Sequence, residues 1–438
     1  MKRVLCLGAG LVARPYVEYL TKHGFHVIVA SRTLHKAQRL ISGCENAEAQ
    51  QFDIEKDDDL LEELTKSVDL VCSLLPYTYH VKAAKVAIRH GKHFCTTSYI
   101  STEMMKLDES AKAAEVALLN ECGVDPGIDH MSAKRIIDDI HRRDGRIVKF
   151  TSFTGGLPAP EANTNPWGYK LSWSPRGVLL AGRNDAHFLR DGKEVKIPGR
   201  ELFASCEIME IPGVGVFEGY PNRDSMSYIE IYGIPEVQTI LRGTLRNVGW
   251  CSTLKSVVDL GLLGLEPQNL EGMTYREMMR RLVQSQDENV ESAVARKLGI
   301  PEEDPIIKRL EWIGLFDDRP IPAGTGTYLD ALCHLFEEKL QYEPNERDMI
   351  VMHHEFVADF GDHQERTTST LVDYGIPGGD SSMSRTVALP VAIASRMILE
   401  GTVTLTGVLR PVMPELYNPI LDELESLGIR FTERTEQI

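Results

Sequence analysis

The first 130 residues alternate short apolar runs with stretches in which apolar positions recur every three or four residues. Runs at Val4–Leu7, His26–Ala30, Leu70–Leu74, His93–Thr96 and Ala117–Asn120 are rich in β-branched and apolar residues, as strands covered on both faces are. Between them, Val81–His90 and Thr102–Ala114 carry helical periodicity. This alternation predicts βαβ units on a parallel sheet, a Rossmann-type doubly wound α/β domain over residues 1–130.

From about Lys149 the texture changes. Gly and Pro cluster at Gly155–Pro160, and short strand-like runs follow, such as Tyr228–Tyr232. Met349–Ala358 and Glu365–Val372 flank Gly361-Asp362, which predicts a hairpin. Trp250–Leu340 is helical in pattern, with charged faces at Arg276–Leu282 and Glu291–Leu298. Residues 131–249 and 341–438 are therefore expected to form an α+β region, with a helical insertion at 250–340. Ser384–Glu400 predicts a further helix, kinked at Pro390 and packed on the first domain.

Composition narrows the classes. A chain of 438 residues holds two or three domains, and 42% apolar with 26% charged residues is ordinary for globular proteins. Against 48 Lys+Arg stand 64 Asp+Glu, a net charge of −16, which argues against nucleic acid or an anionic membrane as partner. The eight cysteines form no C-x-x-C pair and several sit in apolar runs, so buried reduced thiols are expected rather than disulfides or a metal site. Met1-Lys2-Arg3 before an apolar run mimics a signal peptide, but Gly8-Ala9-Gly10 and Pro15 interrupt it. The later apolar run Thr386–Ser395 is too short for a bilayer. A soluble, cytoplasmic protein is expected.

The chemistry begins at Gly8-x-Gly10-x-x-Ala13, after the first strand and before a helix. The first glycine permits the turn, the second lets the backbone approach a pyrophosphate, and the small third residue lets helix and strand pack. An NAD site wants a carboxylate at the end of the second strand, where this chain has Ala30-Ser31-Arg32-Thr33. A guanidinium and hydroxyls suit a 2′-phosphate, hence NADP(H). The competing reading makes Arg32 the start of a solvated helix.

Seven ordered motifs then carry a likeness. They are Ser73–Thr78, Thr97–Ile100, Gly123–His130, Gly155–Glu161, Tyr169–Ser174, Tyr220–Ser225 and Arg242–Arg246, with Glu346–Met349 beyond them. Together they resemble the saccharopine dehydrogenases of the NADP-dependent, L-glutamate-forming type. The resemblance implies that 2-aminoadipate 6-semialdehyde condenses with the amine of L-glutamate and that NADPH reduces the imine to saccharopine, a reversible step of lysine metabolism. It also implies a Rossmann domain joined to a substrate domain of the dihydrodipicolinate-reductase kind plus helices, and a homodimer.

By position, the resemblance assigns cofactor contacts to Gly8, Ala9, Gly10, Leu11, Ala30, Ser31, Arg32, Phe52, Asp53, Leu74, Thr96, Thr97, Val124, Asp125, Gly127 and Trp173. Substrate contacts fall on Thr97, Ser98, Asp125, Arg223, Thr244, Leu245 and Arg246. Two departures stand out: Gly-Ala-Gly replaces the usual Gly-Ser-Gly, and Thr154 stands where relatives have Cys, which removes any role for that thiol.

The residues support parts of this independently. Saccharopine carries three carboxylates, which Arg side chains hold well. Arg223 lies in a Pro-Asn-Arg-Asp turn, where the alternative is a structural bond to loop carbonyls. Arg246 and Arg242 show i, i+4 spacing and project one way on a helix, unless that face is simply solvated. Asp125, at a Pro-Gly turn after the last strand, binds the amine or relays a proton; otherwise it caps the next helix. Tyr99 is the second acid candidate, against a packing role. His80 and His130 read as capping or packing residues without visible partners, and His353-His354-Glu355 lacks zinc-helix spacing. The acidic runs Asp57–Asp59 and Glu302–Asp304 read as helix starts or solvated faces. Competing functions are a related imine reductase, such as a carboxynorspermidine dehydrogenase, and a catalytically silent NADP-binding regulator.

Overall fold

A computed structural model of the chain describes residues 1–286 and 289–438. Two compact units emerge. The first joins Met1–Gly145 to Gly379–Thr432, and the second joins Arg146–Gly378 to Glu433–Ile438.

In the first unit, β1 (Arg3–Leu7), β2 (His26–Ser31), β3 (Ala47–Gln51), β4 (Leu70–Ser73), β5 (His93–Thr96) and β6 (Ala117–Leu119) form one parallel sheet in the order β6-β5-β4-β1-β2-β3. This is the doubly wound order, whose crevice lies at the C-terminal strand ends. Val4, Leu5, Cys6 and Leu7 are completely buried, as the apolar run predicts. β3, Ala-Glu-Ala-Gln-Gln, has no apolar signal because it is the sheet's edge and keeps one side in solvent.

A seventh strand, Gly407–Leu409, pairs in parallel with β6. Helix Ser382–Glu400 runs through Pro390 and lies against helix Ala13–Lys22, where the Tyr16 and Ser395 hydroxyls sit 3.1 Å apart. Segment 379–432 thus belongs to the first unit, which corrects the assignment of all of 341–438 to the second region. The first unit also extends to Gly145, through helix Ile128–Arg142.

The second unit contains β7 (Arg146–Pro158), β8 (Ala186–Arg190), β9 (Lys193–Ile197), β10 (Glu207–Ile211), β11 (Gly215–Pro221), β12 (Thr239–Asn247), β13 (Asp348–Asp359) and β14 (Gln364–Tyr374). Its sheet runs β10-β11-β12-β7-β13-β14 and ends on Phe431–Gln437, with β8 and β9 paired off β12. β13 and β14 form the expected antiparallel hairpin.

Helices Trp250–Asp259, Tyr275–Val283, Val290–Leu298, Pro305–Ile313 and Tyr328–Lys339 fill the helical stretch, four of them started by Thr274, Asn289, Asp304 and Thr327 side chains. Leu254, Leu310 and Phe336 share one core with Trp167, Tyr169 and Tyr220, so this stretch is part of the second unit and no separate body.

Two local readings are corrected. Ser227–Tyr232 is a helix, started by the Asp224 carboxylate accepting from the Met226 and Ser227 amides at 3.0 and 3.2 Å. Tyr-Ile-Glu-Ile-Tyr fits both periods, and the helix buries Tyr228 and Tyr232 one turn apart. Arg242 and Arg246 lie on a strand, β12, where a spacing of four also keeps both on one face.

Candidate functional site

In the first unit the strand ends collect the expected cofactor residues other than Trp173, which lies in the second unit. Gly8 adopts φ +111°, and a Cβ there would stand 3.1 Å from the Leu74 carbonyl oxygen. Both facts require glycine. A Cβ on Gly10 would meet nothing within 4 Å, and Ala9 and Leu11 are at least partly exposed, so the loop has an open side at the start of helix Ala13–Lys22. That arrangement accommodates a pyrophosphate.

Ala30 is buried, and its carbonyl accepts from the Gly8 amide at 2.9 Å. Ser31 Oγ accepts from the Thr33 amide at 3.3 Å. Arg32 is exposed and stands immediately before Thr33, the N-cap of helix Leu34–Leu40. No carboxylate pairs with Arg32 among the described residues. Phe52 is buried, and Asp53 sits 3.7 Å from Lys56. The Leu74 amide donates to Leu7 at 2.9 Å, continuing the ladder to the crevice.

Thr97, Ser98 and Tyr99 follow β5, and the turn Gly123–Gly127 follows β6, with a cis peptide at Asp125-Pro126. The Tyr99 hydroxyl donates to Asp125 Oδ1 at 3.1 Å, bringing the two acid–base candidates together. Gly127 has φ +146°, and a Cβ there would lie 2.2 Å from the Gly123 nitrogen. Gly127 is the N-cap of helix Ile128–Arg142, so Asp125 is not that cap. Val124 is buried beside it.

Under this turn lies a buried polar layer. Glu121 Oε2 meets His130 Nε2 at 2.9 Å, and Asp129 Oδ2 lies 3.5 Å from His130 Nδ1. Glu121 Oε1 accepts from the Ile100 amide at 3.0 Å and lies 3.3 Å from Arg410. Burial opposes the Glu121 charge, but the His130 hydrogen bond and the His130 and Arg410 charges hold its carboxyl below the usual range. Asp129 Oδ1 accepts from the Gly127 amide at 2.6 Å. His80 is likewise engaged, against Ser73, Thr96 and Ser98. Both histidines therefore have partners that sequence spacing did not reveal.

In the second unit, Arg246 is 5% exposed. Its guanidinium lies 5.2 Å from the Tyr169 ring centre and 5.7 Å from that of Trp250. Nη1 donates to the Leu245 carbonyl at 2.7 Å, while Nε is buried with no partner. Glu218, opposite Arg246 in the β11–β12 ladder, spends its two oxygens on the Gly249 and Cys251 amides at 2.9 and 2.7 Å. Among the described residues the buried guanidinium is thus left without a carboxylate, which favours an incoming anion.

Thr244 shares that face and pairs in register with Thr154, whose hydroxyl is also buried without a partner. Leu245 points the other way, into the core with Leu157 and Val351, so only its main chain can meet a ligand. Arg223 is exposed at φ +52°, its carbonyl accepting from the His187 amide at 2.8 Å. Trp173 donates from Nε1 to the Tyr169 hydroxyl at 3.2 Å. Tyr169 opens one of the seven motifs, whereas Trp250, four residues past Arg246, lies outside them; both rings flank the Arg246 guanidinium.

All eight cysteines are free thiols. Cys206, Glu218 and Cys251 bring ligand-type atoms within 4.8 Å of one another. Burial and the Glu218 charge push the Cys251 thiol up, which keeps it protonated.

Comparison with known proteins identifies the family. Residues 4–119 match the family described as "Saccharopine dehydrogenase NADP binding domain", and residues 123–429 match "Saccharopine dehydrogenase C-terminal domain". The chain is 41% identical over 447 residues to "Saccharopine dehydrogenase [NADP(+), L-glutamate-forming]" of Schizosaccharomyces pombe, covering 99% of each. It is 37% identical to "Alpha-aminoadipic semialdehyde synthase, mitochondrial" of Bos taurus, covering 99% of this chain and 48% of that protein. Among solved structures, the apo saccharopine dehydrogenase (L-Glu forming) of Saccharomyces cerevisiae superposes with a TM-score of 0.91 at 40% identity, covering 100% of both chains.

Proposed function

Because the chain belongs to the saccharopine dehydrogenase family, we propose that it interconverts saccharopine, NADP+ and water with 2-aminoadipate 6-semialdehyde, L-glutamate, NADPH and a proton. NADP(H), when bound, takes or supplies the hydride. The open Gly8–Leu11 loop, the unpaired Arg32 and the absence of a carboxylate after β2 fit a 2′-phosphorylated dinucleotide. Ala30, Ser31, Phe52, Asp53, Leu74, Thr96, Thr97, Val124, Asp125, Gly127 and Trp173 complete the proposed cofactor contacts.

The observation that carries the substrate reading is the buried, carboxylate-free guanidinium of Arg246. A substrate with three carboxylates supplies the missing partner, and exposed Arg223 offers a second cation. The Tyr99–Asp125 pair, 3.1 Å apart, holds and moves the proton that imine formation and hydrolysis exchange with solvent. Thr97, Ser98 and Thr244 are proposed to orient the substrate.

No helix among the described residues is long and apolar enough to cross a membrane. We place the protein in the cytoplasm, in keeping with its free, mostly buried thiols, and propose a homodimer, which sedimentation of the purified protein tests.

The function is tested by following reduced nicotinamide absorbance with purified protein and saccharopine, with NADP+ or NAD+. Turnover with saccharopine and preference for NADP+ are expected. No turnover with saccharopine refutes the substrate, whereas a preference for NAD+ refutes only the role of Arg32.

A further inference from the structure

Beneath the nicotinamide-side strand ends, the His80 imidazole meets three hydroxyls. Its Nδ1 lies 2.9 Å from Ser73 Oγ, and its Nε2 lies 2.8 Å from Ser98 Oγ and 3.1 Å from Thr96 Oγ1. His80 and Thr96 are buried, and Ser98 is half-buried.

One assignment of protons satisfies every contact in this cluster at once. The Thr96 hydroxyl donates to the Ser73 carbonyl at 2.9 Å, and a carbonyl only accepts. That hydrogen is spent, so Thr96 Oγ1 must accept from Nε2, as it also does from the Ser98 amide at 3.5 Å. Nε2 therefore carries the ring proton. In the neutral ring Nδ1 is then the acceptor, and the Ser73 hydroxyl donates to it. The same Nε2–H points at Ser98 Oγ, so Ser98 accepts from below and keeps its own hydroxyl proton for a group outside the cluster.

We propose that His80 is a positioning residue that fixes Ser98 as a hydrogen-bond donor to a substrate carboxylate. The proposal rests on the reading of Ser98 as a substrate contact and adds the direction of its hydrogen bond and the residue that sets it. Burial lowers the imidazole to about 4, so the ring stays neutral and the tautomer holds across the neutral range. Without the Nε2–H, Ser98 is free to turn its proton inward and present lone pairs to an anion, which is repulsive.

The test is a double-mutant cycle on the full chain with Ser98→Ala, His80→Leu and both together, plus His80→Gln, whose amide can donate near the Nε2 position. Each single change is expected to raise the saccharopine KM roughly 10–100-fold, the size of one hydrogen bond to a charged group. NADP+ KM should stay within about two-fold. The double variant should be no worse than Ser98→Ala alone, and His80→Gln should recover most of the loss. Multiplicative losses would show that His80 acts through the fold generally and would overturn the proposal.

Because His80→Leu removes a buried hydrogen-bonding partner of β4 and β5, the wild-type ring is also read directly by nitrogen NMR of ¹⁵N-histidine-labelled protein. A neutral Nε2–H ring supports the inference. A neutral Nδ1–H ring overturns it while leaving Ser98 as a contact. A silent Ser98→Ala removes the underlying substrate contact, and the inference with it, whatever the tautomer.

Discussion

Two buried cationic or titratable side chains set the behaviour of this protein at the residue scale. Arg246 is a charge kept out of water with an unmet Nε–H, which is costly for the fold alone. Arg246→Met should therefore leave the melting temperature unchanged or higher while raising the saccharopine KM roughly 10–100-fold, the worth of a charge-assisted pair. Steady-state kinetics and thermal melts of the same sample check this. A large drop in melting temperature with unchanged KM would make Arg246 purely structural.

His80 behaves differently, because its folded-state value, about 4, lies below the ordinary 6.5. The folded state disfavours the protonated ring, so its contribution is complete above about pH 6.5 and is lost as pH falls toward 4. The shift corresponds to roughly 3 kcal/mol at most. Denaturant melts of His80→Gln and wild type should converge across that window as pH falls, and parallel curves would contradict the buried neutral ring. Glu121, held below the carboxylate range, acts in a lower window, losing its contribution only as pH falls below about 4.5.

At the scale of elements, the end of β2 is proposed to decide the coenzyme. Ala30-Ser31-Arg32 offers one unpaired guanidinium and no carboxylate. Arg32→Ala should raise the NADP+ KM by about 10–100-fold and leave the NAD+ KM within about two-fold, since only the 2′-phosphate distinguishes them. Equal effects on both coenzymes would move the phosphate contact elsewhere. The strands that carry this site were legible because burial on both faces leaves an unbroken apolar run, as in Val4–Leu7. β3 was not, since an edge strand of Ala, Glu and Gln has no such signal. The helix Ser227–Tyr232 reads as a strand in sequence because Tyr228–Tyr232 satisfies both periods until Asp224 chooses between them. The proposed site residues Asp125, Tyr99 and Arg246 stand in or beside recognisable motifs. The partners of His80 and His130 were not legible, because Ser73, Thr96, Ser98 and Glu121 reach them only through tertiary structure.

For the whole molecule, chain connectivity matters more than length. The first unit leaves the chain at Gly145 and resumes at Gly379, so its sheet is completed from a segment more than two hundred residues away in sequence. Helix Ser382–Glu400 covers the sheet with fully buried Val391 and Ile393 and nearly buried Met397, Ile398 and Leu399. The strand Gly407–Leu409 closes the β6 edge, with the Asn120 amide donating to Leu409 at 2.9 Å. Each of those apolar side chains is worth about 1.5–3 kcal/mol of burial. Together they rival the roughly 5–15 kcal/mol that holds a domain folded. A fragment of residues 1–145 therefore carries the whole dinucleotide loop and still should not fold alone. It is expected to aggregate or to melt without a cooperative transition. The same fragment joined to residues 379–432 by a long Gly/Ser linker should melt cooperatively and be stabilised by added NADP+. Circular dichroism melts of the two fragments decide the matter, and a cooperative transition from 1–145 alone would show that the first six strands suffice.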